Sequence, residues 1–420
     1  MKPPALKSRV VVTGCGVISA LGAGTPAFAR ALAAGHSGIV LLDHLAAAEH
    51  GRRTCRHPVG ARIEQRATAI LGGCEHALLD PVSRYALAAG EEACEQSGLL
   101  AARDLCEGTG VFVGTGMGGA LSVERAYADM FGLGTAPRPL SILSAMNNAP
   151  ASHLSMRLGL KGPNLSISTA CASSSIAIGE AFHAIRGGRL TCALAGGTEA
   201  CLVGGVLRAW GSLRVLAEAR ADNPAASCRP FARGRDGIVL GEGAAMFVLE
   251  SLDSAVRRGV PLLAELFGYG AAADASHIAN PSVEGQVRAM QAALDDAGLA
   301  PQEIDYVNAH GTATRVGDVC ETLALKRVFG THVRRVPVSS TKSAHGHLLG
   351  AAGAVELAAC LAAMSGGFLP ATLNLDEADP DCDLDYVPRT PRHGVAVRRF
   401  MSNSFAFGGS NAVLIGGGCV

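Results

Sequence analysis

Short apolar runs alternate along the chain with amphipathic stretches, and each change of pattern falls at a glycine or a polar cluster. Residues 9–19, RVVVTGCGVIS, read as a buried strand running into a glycine turn. Residues 25–35, TPAFARALAAG, carry helical spacing, with Thr25 as cap and Gly35 as stop. The strand-then-turn pattern returns at 110–119 and 190–200. Residues 241–251 are strand-like, and Asp253–Arg258 opens a short helix. From residue 263 the pattern restarts: a strand at 263–273, an amphipathic helix at 283–299 ended by Gly298, strand then loop at 304–314, and a closing strand in AVLIGGG. Strands alternating with helices predict a mostly parallel α/β architecture covered on both faces. The restart predicts two similarly organised halves, 1–258 and 259–420, sharing one core without a linker.

Composition adds a second layer. Of the 420 residues, 49% are hydrophobic and 17% charged, against about 25% charged in an average soluble protein. Such a chain has much interior, and it is expected to hide further surface against a partner subunit. Formal net charge is zero, which predicts no nucleic-acid or membrane surface. The longest apolar stretches are interrupted by Gly, Ser or charge, so no membrane-spanning helix is expected. Thirteen cysteines show no paired metal-type spacing, and no leader pattern precedes Val10. These features predict a cytoplasmic protein with free thiols.

Four motifs carry candidate chemistry. The first is Ser168-Thr169-Ala170-Cys171-Ala172-Ser173-Ser174-Ser175, between a strand-like Leu165–Ser168 and an apolar helix ended by Gly187-Gly188. A strand–turn–helix corner presents a nucleophile. A helix N-terminus predicts a thiol pKa below the ordinary value of about 8.5. A buried structural cysteine is the plain alternative. The second is Asn308-Ala309-His310-Gly311-Thr312-Ala313-Thr314, where an imidazole and two alternating hydroxyls can face one groove; an ordinary turn is the plain alternative. The third, Ser340 to His347, places Lys342 and His347 on a loop before an Ala-rich helix carrying Glu356. A salt-bridged loop explains it equally well. His345 and His347 have no third ligand at a recognisable spacing, so no metal is predicted. The fourth is Asn403 to Asn411, with Phe407-Gly408-Gly409 allowing close backbone approach to a ligand.

Together, in this order, the motifs resemble the β-ketoacyl-[acyl carrier protein] synthase family, and most of all its elongating, type II branch in the thiolase superfamily. Arg229-Pro230-Phe231, Arg235-Asp236-Gly237 and Gly241-Glu242-Gly243 extend the likeness over about residues 8–418. The resemblance implies a thiolase-like fold, two similar halves in a layered αβαβα arrangement. It implies decarboxylative condensation of malonyl carrier protein with an acyl chain held on Cys171, in fatty-acid or polyketide/polyene synthesis. His310 and His347 would stabilise the enolate, and Lys342 and Glu356 would support them. The N–H groups of Cys171 and Phe407 would form the oxyanion hole, with Phe407 and Gly408 in the gate. Thr312 and Thr314 would bind pantetheine, and Met117 would line the acyl pocket. No cofactor is implied, since phosphopantetheine arrives on the acyl carrier protein.

The resemblance also implies a homodimer, or a heterodimer with a related ketosynthase-like subunit, in contact through the strand near 190–195. Arg214 matches a carrier-docking arginine, whereas Cys74-Glu75-His76-Ala77-Leu78-Leu79 stands where the family often carries a basic cluster. Two alternatives stay open at this point. One is a non-catalytic partner of the chain-length-factor type, which lacks the nucleophile. The other is a thiolase, which needs a second catalytic cysteine; Cys419 stands outside any Gly-rich loop.

Overall fold

The computed structural model describes residues 8–42, 58–63, 79–220 and 222–419. Ten strands matter here. β1 to β5 span Val10–Ser19, Gly110–Gly114, Asn164–Ile167, Cys192–Glu199 and Gly243–Ser251. β6 to β10 span Ala264–Ala273, Tyr306–Asn308, Val338–Ser339, Arg399–Phe405 and Ser410–Gly417. Six helices are used below: α1 Pro81–Ser97, α2 Ser173–Arg186, α3 Gly204–Ser212, α4 Val283–Ala297, α5 Arg315–Phe329 and α6 Ala352–Gly366.

These strands lie in one sheet, ordered β8-β7-β9-β10-β6-β1-β5-β4-β2-β3, with the two-residue strand Gly22–Ala23 folded back on β1. Counted outward from the antiparallel β1/β6 contact, one block runs β1-β5-β4-β2-β3 and the other β6-β10-β9-β7-β8. Order and direction repeat: antiparallel, antiparallel, parallel, parallel in each block. The sheet is therefore mixed rather than mostly parallel. The last strand of each block inserts antiparallel beside the first, which a linear alternation of strand and helix signals does not reveal.

Helix packing completes the layers. α1 covers β1 and β5 of the first block, and α4 covers β6 and β10 of the second. α2 and α6 lie between, each touching strands of both blocks and each other. A helix enclosed on all sides must be apolar around its whole circumference. α6, AGAVELAACLAAMSG, meets that requirement, and its residues are buried from Ala352 to Ala363. Its close approach to α2 requires glycine, because a Cβ on Gly353 would stand 2.0 Å from Ser175 Oγ. Among the described residues, Leu349–Gly366 is one stretch apolar and long enough to cross a membrane, and it lies mostly buried in this interior. A single apolar cluster joins Phe28, Phe112, Ile178 and Phe247 to Leu266, Tyr306, Leu357 and Leu414.

Two local expectations need correction. Thr25 is the first helical residue rather than the cap. Gly24 precedes it, and Glu92 accepts from the Thr25 N–H and hydroxyl. The strand near 190–195, β4, is interior, flanked by β5 and β2, while β3 forms the outer edge.

Candidate active site

The repeated topology places Cys171 and His347 at equivalent junctions. Cys171 lies between β3 and α2, and His347 between β8 and α6. His310 follows β7 directly. The Cys171 turn is tight: Ala170 sits at φ 49, the Thr169 N–H donates to Ser173 Oγ at 2.8 Å, and that hydroxyl donates to Ala170 O at 2.6 Å. A non-glycine residue held in this region costs about 1–3 kcal/mol and persists only where its surroundings over-determine it. The His347 backbone is tied to the β5 side, its N–H donating to Val239 O at 2.7 Å and its carbonyl accepting from the Gly241 N–H at 2.9 Å.

Three reactive atoms converge. Cys171 Sγ and one ring nitrogen each of His310 and His347 lie within 4.8 Å of one another, all buried. Cys171 Sγ is 3.0 Å from His347 Nε2, and the two imidazoles meet edge-on with centroids 5.3 Å apart. Backbone and lysine contacts assign the tautomers. The Leu349 N–H donates to His347 Nδ1 at 3.2 Å, so the ring proton is on Nε2, facing the sulfur. Lys342 Nζ donates to His310 O at 2.5 Å and approaches His310 Nδ1 at 3.4 Å. An ammonium only donates, so His310 also carries its proton on Nε2. Lys342 is paired with Glu356, and both side chains are fully buried.

The charges follow from this burial. Both imidazoles are held well below the ordinary 6.5, first by burial and second by Lys342. They are neutral hydrogen-bond donors at neutral pH. Burial raises Glu356 to about 7 against the pull of Lys342. Lys342 thus pairs with Glu356 and adds to the burial that keeps His310 neutral.

The thiol differs from expectation. Burial pushes Cys171 up to about 12, while Lys342 and the Phe407 N–H pull it down. Full enclosure outweighs the position before α2, and the resting group is a thiol. Its ionisation therefore belongs to the reacting complex, where new donors surround the sulfur.

A Cys-His-His set of this size is one that zinc accepts. Here, however, both Nδ1 atoms face donors and both Nε2 atoms carry the proton, so neither Nε2 offers a lone pair. His345 stands apart, with Nδ1 2.8 Å from Gly346 O and Nε2 2.9 Å from Thr341 Oγ1.

The other predicted residues are distributed around this centre. Phe407 begins a short turn after β9, with Gly408 and Gly409 at φ 84 and 75. The Gly408 N–H donates to Ile278 O at 2.7 Å, and the Phe407 ring packs 5.7 Å from that of Trp210 on α3. Trp210 and Ala406 border the apolar cluster that contains Cys171, Leu207 and Leu349. A cavity of ≈ 1450 Å³ leads in, lined among others by Arg208, Arg214, Ile278, His310, Arg315 and Phe407. Thr314 lines it too, and also caps α5 through the Gly317 N–H; Thr312 Oγ1 is 3.1 Å from Thr314 Oγ1. Arg214 is exposed at the cavity, at φ 59. Met117 does not line it, and its side chain is 41% exposed on the single chain. Cys419 is exposed beyond the end of β10. Cys74 to Leu78 lie outside the described residues.

Sequence reasoning missed three contributors. Trp210 gives no motif. Glu321 accepts the His310 and Gly311 N–H groups at 2.9 and 2.8 Å and orients that turn. Glu199, at the end of β4, is fully buried and accepts from the turns after β2 and His347.

Comparison with known proteins adds the following. The beta-ketoacyl synthase N-terminal domain pattern matches residues 7–255, and the C-terminal domain pattern residues 263–376. Nodulation protein E of Rhizobium meliloti is 43% identical over 408 residues, 97% of this chain and 98% of the relative. The 3-oxoacyl-[acyl-carrier-protein] synthase 2 of Synechocystis sp. is 38% identical over 412 residues, 97% of each. A solved beta-ketoacyl synthase from Burkholderia phymatum superposes with TM-score 0.90 at 37% identity, covering 98% of this chain and all of that one. A ketosynthase solved with its type II polyketide acyl-carrier protein and bound to a hexaketide superposes with TM-score 0.88 at 28% identity, covering 98% and 100%.

Proposed function

The chain belongs to the beta-ketoacyl synthase family, and we propose that within this condensing enzyme Cys171 holds the acyl chain while His310 and His347 serve the malonyl step. The observation that carries this division is the convergence of Cys171 Sγ and the two imidazoles within 4.8 Å, with the His347 Nε2–H facing the sulfur. The Cys171 thiol gives up its proton as its sulfur attacks the thioester of an acyl carrier protein, and that proton passes to the departing carrier sulfur. The tetrahedral oxyanion collapses, the carrier thiol leaves with a proton, and the acyl group remains on sulfur. Malonyl carrier then enters. Loss of carbon dioxide leaves an enolate, whose oxygen accepts from His310 and His347. Its carbon attacks the acyl carbonyl and expels the Cys171 thiolate, giving a 3-oxoacyl carrier two carbons longer. Removing a donor of this type costs about 100- to 1000-fold in rate.

The Phe407 N–H, already directed at Cys171 sulfur, suits the acyl oxyanion. The Phe407 ring against Trp210 suits a gate, and Thr312 and Thr314 suit the pantetheine arm. The partner is an acyl carrier protein, as in the related solved complex, and Arg214 beside the cavity mouth suits its acidic surface. The phosphopantetheine comes with that carrier, and the residues described need no cofactor of their own. The reaction serves free-standing fatty-acid or polyketide assembly, since relatives of both kinds match along the whole chain.

A dimer is also part of this reading. β3 is an edge strand, and Phe131, Leu133, Leu140, Ile142 and Met156 are each at least 68% exposed on the single chain. An edge left open among the described residues and exposed apolar side chains are both features of an association surface, and an obligate interface buries about 2,000 Å² or more. Light scattering at micromolar protein is expected to give twice 42.7 kDa, or a heterodimer with a related subunit; a 42.7 kDa species alone contradicts it. Incubation with acyl and malonyl carrier proteins, followed by mass spectrometry of Cys171 and of product, tests the chemistry. Acyl-Cys171 with no longer product from the parent enzyme contradicts it.

A further inference from the structure

Glu199 is a fully buried carboxylate that accepts three backbone N–H groups and one hydroxyl. Its Oε2 accepts from Gly116 N at 2.8 Å and from Gly350 N at 2.9 Å, one donor from each of two turns. Its Oε1 accepts from Met117 N at 3.1 Å and Thr115 Oγ1 at 3.4 Å. The turns touch so closely that a Cβ on Gly350 would stand 2.2 Å from Gly116 N. The Gly116 and Gly350 N–H groups end on the same carboxylate oxygen, so Glu199 Oε2 bridges the two turns.

The second turn matters to the chemistry. Gly350 follows Leu349, a non-glycine residue at φ 44. Leu349 donates its N–H to His347 Nδ1 and places its side chain in the cluster around Cys171. A left-handed leucine holds only if its neighbours hold it, and the Gly350–Glu199 bond is one peptide away. We infer that Glu199 is a positioning residue: it clamps the Gly116–Met117 turn to the Leu349–Gly350 turn and thereby fixes the His347 tautomer and ring position for the malonyl step. This rests on His347 acting in that step.

The predicted signature is a split between half-reactions. Glu199→Ala orphans all four donors. Per titratable Cys171 thiol, malonyl decarboxylation is expected to fall about 10- to 100-fold, the scale of an ångström-level misplacement. Acylation of Cys171 by a small thioester should change less than about threefold, since the nucleophile turn has its own Ser173 hydrogen bonds. Glu199→Gln keeps one acceptor oxygen. Its amide can donate to the Thr115 hydroxyl, so it should lie between parent and Ala. Ring nitrogen-15 shifts of His347 should show a mixture of tautomers in the Ala variant, which a purely structural role would not produce. Equal losses in both half-reactions, or no loss in either, would overturn the assignment. If Glu199→Ala does not fold, Glu199→Gln carries the same test with a decarboxylation loss of at least about threefold. His347→Ala is the control: normal decarboxylation there defeats the role given to His347, whereas its loss alongside an unaffected Glu199→Ala defeats only the clamp.

Discussion

The two strand blocks share order, direction and the position of their reactive loop, yet one presents a thiol and the other imidazoles. Cys171 precedes α2 and His347 precedes α6, two adjacent helices between the same strands. A duplicated framework has thus brought two equivalent corners face to face, with Cys171 Sγ 3.0 Å from His347 Nε2. The difference lies in what surrounds each corner. The first has small residues and a tight turn held by Ser173. The second is buried and holds a cation, Lys342, and burial together with that charge keeps the imidazoles neutral. Lys342 acts on both corners, lowering the Cys171 thiol as well as the two imidazoles, so the two blocks share one buried cation.

The sharpest way to break this comparison is to erase one corner. Cys171→Ala should abolish acyl transfer, because a methyl group forms no thioester. Intact-protein mass should rise by the acyl group in the parent and not in the variant, and an acylated variant would refute the nucleophile. Next in size is the cation of the second corner. Lys342→Met leaves Glu356 buried and unpaired, an arrangement that costs about 3–5 kcal/mol of stability. Denaturant unfolding should show that loss, and adding Glu356→Gln should restore part of it. An unchanged midpoint would mean the pair matters little.

A smaller effect belongs to the entrance. Arg214→Glu should raise KM for acyl carrier protein, since an exposed charge contributes about 0–1 kcal/mol and a reversal more. Acylation of Cys171 by a small thioester mimic should be unaltered. Equal damage to both substrates would make Arg214 structural. Smallest of all is the expected response to pH. Burial and Lys342 lower His310 and His347 below 6.5, so protonation begins only at more acidic pH. No imidazole protonation should therefore limit malonyl decarboxylation between pH 8 and 6; an acid limb centred near 6.5 in the parent, absent from His310→Ala or His347→Ala, would show that an imidazole titrates normally.

Much of this was legible in the residues. Strands β1, β2, β4, β5, β6 and β10 follow from apolar runs bounded by glycine. Cys171, His310, Lys342 and His347 are legible because each sits where a strand gives way to a turn or helix. What escaped depends on long-range contact. The antiparallel insertion of β5 and β10 is a matter of neighbours rather than of pattern. β3, Asn-Leu-Ser-Ile, is too short to declare itself an edge. The raised thiol follows from complete burial, which no local motif encodes. Glu199 closes AGGTE as an ordinary acid, and its four donors lie 82, 83, 84 and 151 residues away.

The division of labour itself is tested by one measurement: intact mass of His310→Ala and His347→Ala after incubation with acyl carrier protein, followed by malonyl carrier protein. Both variants should take up the acyl group on Cys171 and keep it after malonyl carrier is added, with no elongated product. Turnover to product at the parental rate in both variants would contradict the account.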